Sequence, residues 1–594
     1  MKLRLWPGAL LAALLLLFAF VRPLLNSDAG LVFVLAPLAL GVLIIVWWLF
    51  FSRAPWTDRL LAIGVMTAAG YASMFVVHPS IRGGYMGLMV PFFFAIPFLP
   101  VAIVAWAAAT RAVSSTARRI TLVVVALAAM GCFSLFRTDG VRGGAADLKW
   151  RWTPTAEDRL LAQAQDAPAA APAPAKSADV ALPSAPVAPA PSPEAAPAKD
   201  EKPAAPAPVK MDVRWAGFRG GERNSVVHGV RIQTDWTASP PSEIWRRPVG
   251  PGWSSFAVAG DLLFTQEQRG PDEIVAAYRA STGRPVWMHK DPVRFYESNG
   301  GAGPRGTPTL ADGRVYALGA TGILNVLDAA TGALVWKRET VGDAGIKLPG
   351  WGITSSPLVL ADTVVVAVSG ALVAYDRASG GKRWMVKSSG GGYSSPQLVT
   401  VDGVEQILLL AGAGLTSVSP KDGAVLWRSA FAGVPIVQPA VIGDRDILFT
   451  SSDAMGGIGA RRLAVTHASG GWKVEERWNS NTLKPYFNDY VIHKGHAYGF
   501  DGAILACIDL ADGTRKWKGG RYGSGQVLLL ADQDLLLVIS EEGELALVSA
   551  TPDQFKEVAG RIPAIEGKTW NHPVIVGDRL FIRNGQEMAA FRVR

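Results

Sequence analysis

The stretch Leu327-Asp328-Ala329-Ala330-Thr331-Gly332-Ala333-Leu334-Val335-Trp336 decides the fold of the second half of the chain. It contains the end of one strand, a Thr-Gly turn and a second strand that carries a tryptophan. Gly332 can take the positive φ that a tight hairpin turn requires. Trp336, at a fixed distance from the turn, offers a large apolar ring that packs between neighbouring sheets. The stretch therefore predicts a β-hairpin that must bury its tryptophan against another sheet.

The same pattern recurs along the chain. A Thr-, Ser- or Asp-Gly turn precedes each tryptophan of one series: Trp287, Trp336, Trp384, Trp427 and Trp517. The first four are 49, 48 and 43 residues apart, a spacing typical of four-stranded propeller blades. The longer gap before Trp517 predicts one degenerate copy.

A second pattern counts the blades. A short polar or Gly-rich step leads into each predicted first strand, and we call this step, together with the loop residues that precede it, a rim loop. Eight occur: Ser254-Ser255-Phe256, Gly306-Thr307-Pro308, Ser355-Ser356-Pro357, Ser394-Ser395-Pro396, Val437-Gln438-Pro439, Asn488-Asp489-Tyr490, Ser524-Gly525-Gln526 and Asn571-His572-Pro573. Residues 589–594, at the end of the sequence, match the third strand of a blade. The fourth strand of that blade is supplied by residues 243–247. The sequence thus predicts an all-β eight-bladed propeller closed by pairing of its two extremities, which leaves no long sheet edge exposed.

The first part of the chain reads as an α-helical membrane domain. Five apolar runs have spanning length: Leu5 to Leu25, Leu31 to Phe51, Leu60 to Val77, Tyr85 to Ala109 and Ile120 to Phe136. With the amino terminus in the cytoplasm, the internal loops carry seven Lys and Arg residues against two outside. This bias predicts a multi-pass inner-membrane protein whose propeller lies in the periplasm.

A linker joins the two parts. The 46 residues from Asp166 to Met211 are dominated by Ala and Pro, a composition that cannot form a packed core. The predicted organisation is a five-span domain over 1–140, a juxtamembrane periplasmic segment over 141–165, a disordered linker over 166–212 and the propeller over 213–594.

Charge and cysteine content narrow the function classes. The net charge is +9, but +7 of it lies in the residues up to Asp166, beside the apolar runs, where membrane topology explains it better than nucleic-acid binding. Cys132 and Cys507 lie on opposite sides of the linker and form no disulfide framework or CxxC metal motif. No phosphate-binding loop or nucleophile elbow occurs in the sequence.

The repeat resembles the tryptophan-docking repeat of the pyrroloquinoline quinone (PQQ)-type propellers, on the residues Leu327 to Trp336. The stretch Trp215-Ala216-Gly217-Phe218-Arg219-Gly220 is similar to a W-x-x-F-R-G segment of bacterial PQQ-like propellers. That family implies the fold, but it includes both quinoprotein dehydrogenases and cofactor-free scaffolds. Five spans before an eight-bladed propeller also resemble membrane-bound glucose dehydrogenase, although this propeller, at about 380 residues, has minimal length.

The rim loops are expected to surround the mouth of the channel and to gather the residues that the repeat does not require. Trp253, Trp351 and Trp570 could stack on a planar ring, while Arg305 and Lys484 could bind carboxylates. Asp489 or His572 could act as a base. A second set offers oxygen ligands to a hard cation such as calcium: Glu297, Asn299 and Asn488.

Three functions are compatible with the sequence. The leading hypothesis is a membrane-anchored periplasmic propeller that binds a ligand or an envelope protein at the channel mouth, with its cofactor unknown. The alternative is a PQQ- and calcium-dependent alcohol or sugar dehydrogenase that passes electrons to membrane quinone. In the third hypothesis, the protein is an assembly factor that docks a partner by strand addition.

Overall fold

The computed structural model describes residues 4–21, 30–142, 145–163, 211–388, 390–453 and 456–594. The chain divides into two compact units. The first contains Met1–Arg159 and Arg294–Gly303, and the second contains Leu160–Val293 and Pro304–Arg594. The predicted linker over 166–212 lies almost wholly outside the described residues, and the predicted domain boundaries stay predictions.

The first unit is mainly helical. Its helices are Trp6–Val21, Gly30–Phe50, Trp56–Val76, Pro79–Arg82, Gly84–Gly87, Met89–Ala95 with Ile96–Ala109, Ser115–Gly131 with Cys132–Leu135, and Ala156–Leu161 at its boundary. Among the described residues, three helices of 21 residues are long and apolar enough to cross a membrane: Trp56–Val76, Met89–Ala109 and Ser115–Leu135. The apolar helices Trp6–Ala19 and Leu35–Phe50 are shorter. Three apolar helices are therefore observed, and the prediction of five spans is not confirmed.

Two hairpins complete the first unit. One pairs Phe136–Arg142 with Ala145–Trp150, directly after the last apolar helix. The other pairs Tyr296–Glu297 with Gly301–Ala302, in a segment that departs from the propeller sequence between blades 1 and 2. Arg294 binds both carboxylate oxygens of Glu157, at 2.7 and 2.8 Å, and thereby ties this segment to the helical unit.

The second unit is a ring of eight antiparallel sheets, each with four blade strands, which follow in sequence order in blades 1 to 7, whereas the outer strand of blade 8 precedes blade 1 in the chain. Blade 1 consists of Ala257–Ala259, Leu262–Arg269, Asp272–Arg279 and Pro285–Asp291, and blade 2 of Thr309–Ala311, Arg314–Leu318, Ile323–Asp328 and Leu334–Glu339. Blade 3 consists of Leu358–Val359, Thr363–Val368, Ala371–Asp376 and Lys382–Lys387, and blade 4 of Gln397–Val401, Val404–Ala411, Gly414–Val418 and Val425–Ala430. Blade 5 consists of Ala440–Ile442, Asp446–Asp453, Gly456–Ala468 and Gly471–Ser480, and blade 6 of Val491–His493, His496–Asp501, Ile504–Asp509 and Arg515–Arg521. Blade 7 consists of Gln526–Leu530, Leu535–Ile539, Glu544–Ser549 and Glu557–Pro563, and blade 8 of Val574–Val576, Arg579–Arg583, Glu587–Arg592 and Ser242–Pro248. The predicted eight-bladed propeller is confirmed.

The ring closes as the sequence predicts. Ser242–Pro248 is the outer strand of blade 8 and pairs antiparallel with Glu587–Arg592, with Ala589 opposite Arg246 and Ala590 opposite Trp245. Blade 5 is the predicted degenerate copy. Its tryptophan is Trp478, and a long hairpin through Gly471 replaces the short turn.

Five of the docking tryptophans cover a glycine of the next blade. A Cβ atom on Gly332 would lie 2.6 Å from the ring of Trp287, closer than any side-chain contact allows. The Trp287 indole N–H also donates to the Ala329 carbonyl at 3.0 Å. The same ring-on-glycine contact joins Trp336 to Gly380, Trp384 to Gly423, Trp478 to Gly513 and Trp245 to Gly283. The glycines of the repeat thus allow close packing as well as a positive φ.

Candidate functional site

The blade topology places the rim loops at one end of the channel. Because the first strand of each blade is innermost and successive strands are antiparallel, the rim loops share one face with the turns between second and third strands. The Thr-Gly turns lie on the opposite face. We call the face that carries the rim loops the mouth.

Six aromatic side chains form a continuous row across this mouth, and we call the row the aromatic belt. It comprises Trp253, Trp570, Phe487, Tyr486, Trp351 and Tyr393, contributed by rim loops of blades 1, 8, 6, 3 and 4. Successive ring centroids in this order are 4.6, 4.6, 5.4, 6.2 and 4.9 Å apart. All six side chains are half-buried. The belt therefore presents apolar ring surface to solvent while each ring is held by its neighbours.

Polar side chains orient one end of the belt. The Trp570 indole N–H donates to Glu541 Oε1 at 2.9 Å. The ammonium group of Lys568 lies over both tryptophan rings, 4.2 Å from the Trp570 centroid and 5.2 Å from the Trp253 centroid. A cation at this distance is attracted to the ring faces and limits their motion.

Below the belt, residues 213–230 occupy the channel, and we call this segment the channel plug. It ascends beside blade 1, where Val213–Trp215 pairs with the innermost strand. After a turn it descends parallel to the innermost strand of blade 7 through Val226–Val227. Since the blades around it contact the plug through backbone and side-chain bonds, the plug is an internal part of the propeller.

Arg219 and Asp489 form a buried ion pair at the turn of the plug. Arg219 Nη1 lies 3.2 Å from Asp489 Oδ1, and both side chains are at most 4% exposed. His572 Nε2 lies 2.7 Å from the other oxygen of Asp489. The ring of His572 also meets Phe218 of the plug edge to face, with centroids 5.0 Å apart. Burial raises the pKa of Asp489, but the Arg219 charge and the His572 hydrogen bond outweigh it, so the pKa is lowered.

A second plug arginine, Arg223, lies over the ring of Phe218 and donates to backbone carbonyls. Arg223 donates to the carbonyls of Pro357 and Ser356, at 3.0 and 3.1 Å. Burial, together with the nearby Arg219 charge, lowers the pKa of Arg223 to about 10, so the side chain remains protonated at neutral pH. The two arginines therefore fix the plug to opposite sides of the ring, at blades 6 and 3.

The structure brings several predicted site residues together. Asp489 contacts His572, and Trp253 and Trp570 stack in the belt with Trp351 further along it. Lys484 pairs with Asp501 at 3.0 Å, in the same rim loop as Tyr486 of the belt. Arg305 lies in the rim loop of blade 2 and acts electrostatically on the buried carboxyl of Glu273.

Two of the three predicted oxygen ligands, Asn488 and Glu297, already accept hydrogen bonds within the protein. Asn488 Oδ1 accepts the Tyr486 N–H at 2.9 Å. Glu297 accepts the backbone N–H groups of Asn299 and Gly300, at 2.7 and 2.5 Å, within the hairpin that belongs to the first unit. Within the described ranges, no three His, Cys, Asp or Glu side chains are grouped closely enough to hold a metal ion.

Sequence reasoning missed four residues of this region: Phe487, Lys568, Glu541 and Arg219. Phe487 and Lys568 are close in sequence to the predicted Asn488 and Trp570, so the composition of the rim loops contained a signal for them. Glu541 lies in the turn between second and third strands of blade 7, and only the fold brings it to the mouth. Arg219 is part of the W-x-x-F-R-G stretch, but the stretch does not reveal that it enters the channel.

The fold and this region define a PQQ-like eight-bladed propeller whose channel is filled by its own leading segment. The family described as outer membrane protein assembly factor BamB matches residues 237–396, 349–555 and 411–594. The chain belongs to that family, since the match covers more than half of its length.

Individual relatives are distant. BamB of Yersinia pestis is 22% identical over 363 residues, which cover 57% of this chain and 76% of that protein. Among solved structures, BamB from Moraxella catarrhalis is 15% identical with a TM-score of 0.41 and covers 59% of this chain and 97% of its own. Quinohemoprotein alcohol dehydrogenase from Comamonas testosteroni is 13% identical with a TM-score of 0.45, covering 64% and 80%. The family assignment rests on the sequence match, and the likeness to membrane-bound glucose dehydrogenase stays a prediction.

Proposed function

We propose that this protein is a docking scaffold of the bacterial envelope, anchored in the inner membrane, whose periplasmic propeller binds a protein partner at the aromatic belt. The observation that carries the proposal is the belt itself. Six half-buried rings in contact lie across the mouth, where exposed aromatic surface of this extent marks an interaction site.

The plugged channel favours binding over catalysis. A general base must reach the proton that it removes. Asp489 is 2% exposed and is already shared between Arg219 and His572. In the proposed function, Asp489 therefore holds the plug beneath the belt.

Features of the first unit support membrane anchoring. Three apolar helices have spanning length. At the end of the last one, Trp150 stacks on Phe136 and on Trp152, and the two tryptophans are 48% and 66% exposed. Exposed tryptophans next to an apolar helix are typical of the interface between membrane and water. Together with the charge bias of the loops, they favour a multi-pass anchor with the propeller outside the cytoplasm.

The family points to the class of partner. The relatives carry the name of an outer membrane assembly factor, and we extend to this chain only the expectation of a protein partner in the envelope. The linker over 166–212 would give the propeller reach from the membrane toward that partner.

Site-specific photocrosslinking in living cells tests the proposal. A photoreactive amino acid at Trp351 or Tyr486 should crosslink the full-length protein to another envelope protein. The matched control is the same amino acid at Ala333, an exposed position on the Thr-Gly face. Absence of a crosslink from both mouth positions, or an equal crosslink from Ala333, would contradict docking at the belt.

The second candidate is the PQQ-dependent dehydrogenase, which the stacked rings of Trp253 and Trp570 favour because aromatic faces can bind a planar quinone. The predicted ligand set does not fit such a site. The oxygens of Asn488 and Asp489 are engaged by Tyr486, Arg219 and His572, and the Glu297 carboxylate caps its own hairpin. We therefore derive no oxidation step.

A further inference from the structure

The aromatic belt is longer than any single planar ligand requires. A flat ring stacks on one or two aromatic side chains, whereas the belt offers six in single file. Their centroids are 4.6 to 6.2 Å apart, and they come from five different blades. An extended chain is the kind of ligand that can contact all of them at once.

The spacing of the rings suits a polyproline II helix. That conformation advances about 3.1 Å per residue, so every third residue returns to the same face after about 9 Å. Two successive intervals of the belt, each 4.6 to 6.2 Å between centroids, allow a distance of this order between alternate rings. Neighbouring rings are tilted by 31°, 51°, 48°, 82° and 34°, which leaves wedge-shaped gaps between them. Proline rings fill such gaps in aromatic-lined grooves, and their backbone is already extended before binding.

The belt also offers a hydrogen-bond donor. Within the described part of the chain, the indole N–H of Trp351 makes no hydrogen bond to protein, and the ring is half-buried at the mouth. Polyproline II segments leave their carbonyl groups unbonded. A carbonyl of the ligand can therefore accept from Trp351 near the middle of the belt.

Positive charge flanks the belt. Lys568 lies over the two tryptophans at one end. Beside Tyr486, the buried carboxylate of Asp501 meets three cations, Lys484 at 3.0 Å, Arg515 at 2.6 Å and Lys518 at 2.8 Å. Because the cluster contains three cations and only one carboxylate, it has an excess of two positive charges, and each cation is about one-third exposed. The ligand should therefore carry acidic residues near its proline-rich segment.

We propose that the aromatic belt binds an extended, proline-rich and acidic segment of a separate envelope protein. The inference rests on the proposed docking function and adds the chemistry of the partner. It follows from the single-file rings, the tilted pairs and the excess of cations at the mouth.

Peptide binding to the full-length protein in lipid nanodiscs tests it. The probe is a fluorescent synthetic peptide with a Pro-x-x-Pro-x-x-Pro repeat and glutamate at both ends, and its control has alanine in place of every proline. We expect anisotropy to report saturable binding of the proline peptide only. Trp351→Leu and Trp570→Leu should each weaken that binding about tenfold. Lys568→Ala should weaken it and reduce its dependence on salt.

Trp472→Leu is the matched variant, because Trp472 lies outside the belt in the blade 5 hairpin, against His467. Its affinity should equal that of the wild type, and circular dichroism should show that all variants are folded. Equal binding of the alanine peptide, or unchanged affinity in both belt variants, would overturn the inference. So would affinity that rises when residues 166–210 are replaced by a Gly/Ser segment, since the chain's own prolines would then occupy the belt.

The crosslinking experiment separates the two proposals. A partner crosslinked at Trp351 without any binding of the proline peptide would keep the docking function and refute this partner chemistry. Peptide binding without a crosslinked protein in cells would instead refute the docking function.

Discussion

At the scale of single residues, tryptophan serves two purposes in this propeller. Trp287 and four other tryptophans of the blade strands pack on a glycine of the neighbouring blade, and the Trp287 indole N–H donates to the backbone of that blade. Trp253, Trp351 and Trp570 lie in rim loops, outside the repeat, and contact other aromatic rings. Position relative to the Thr-Gly turn distinguishes the two sets, so the sequence alone could separate packing residues from candidate binding residues.

Gly332 offers a sharp test of tryptophan docking. Its φ is +75°, and a Cβ atom would lie 2.6 Å from the Trp287 ring. We expect Gly332→Ala to lower the free energy of unfolding by about 2–4 kcal/mol, from strain and overpacking together. Gly577→Ala is the control, because its φ is +60° but nothing lies within 4 Å. It should cost about 1 kcal/mol, and equal losses in the two variants would argue against ring-on-glycine packing.

The buried pair of Asp489 and Arg219 predicts a dependence of stability on pH. The pKa of Asp489 is lowered in the folded protein, so the pair contributes fully above the ordinary carboxyl pKa of about 3.9 and is lost as pH falls through the lowered value. Asp489→Asn should therefore be less stable than the wild type at pH 7, with a gap that narrows in acid. Thermal denaturation from neutral pH downward measures it, with Asp444→Asn in an exposed turn as control. A gap independent of pH would show that the carboxylate charge is not involved.

At the scale of elements, periodicity made the propeller predictable. The spacing between the Thr-Gly turn and the tryptophan predicted four-stranded blades, and the eight rim loops predicted the number of blades. The row of rings across the mouth was not predictable, because Trp351 and Tyr486 are distant in sequence and meet only when blades 3 and 6 face each other. The channel plug was hidden for a similar reason, since its bonds to Pro357, Tyr490 and Leu529 depend on the closed ring.

Ring closure is testable by truncation. Deleting residues 585–594 removes the strand Glu587–Arg592, which pairs with Ser242–Pro248. We expect the propeller to lose its cooperative thermal transition, because both edges of the opened sheet become exposed. A cooperative transition kept by the truncated protein would contradict closure by this pair. Deleting residues 1–3, far from the ring in sequence, serves as a control.

At the scale of the whole molecule, the predicted topology can be measured with reporter fusions. Alkaline phosphatase fused after Arg142 should be active, because the loop charges predict that this position lies outside the cytoplasm. A fusion after Arg119, in a loop predicted to be cytoplasmic, should be inactive. The reverse pattern would invert the proposed orientation.

Cofactor binding is a second property of the whole molecule. After incubation with PQQ and calcium and removal of the excess, the purified protein should show no stoichiometric quinone absorbance, since the oxygens of Glu297 and Asn488 already accept hydrogen bonds within the protein. Trp570→Leu should give the same spectrum. A stoichiometric, redox-active complex that is lost in Trp570→Leu would restore the dehydrogenase hypothesis.

The pairing of Arg246 with Glu587 joins positions 341 residues apart in the chain. Contacts of such separation form late, because the entropy of closing a long loop is lost before the contact contributes. Blade 8 cannot be completed until its third strand, Glu587–Arg592, has been synthesised and can pair with Ser242–Pro248. Until then the nascent propeller exposes an unpaired sheet edge, which must be kept from pairing with other chains.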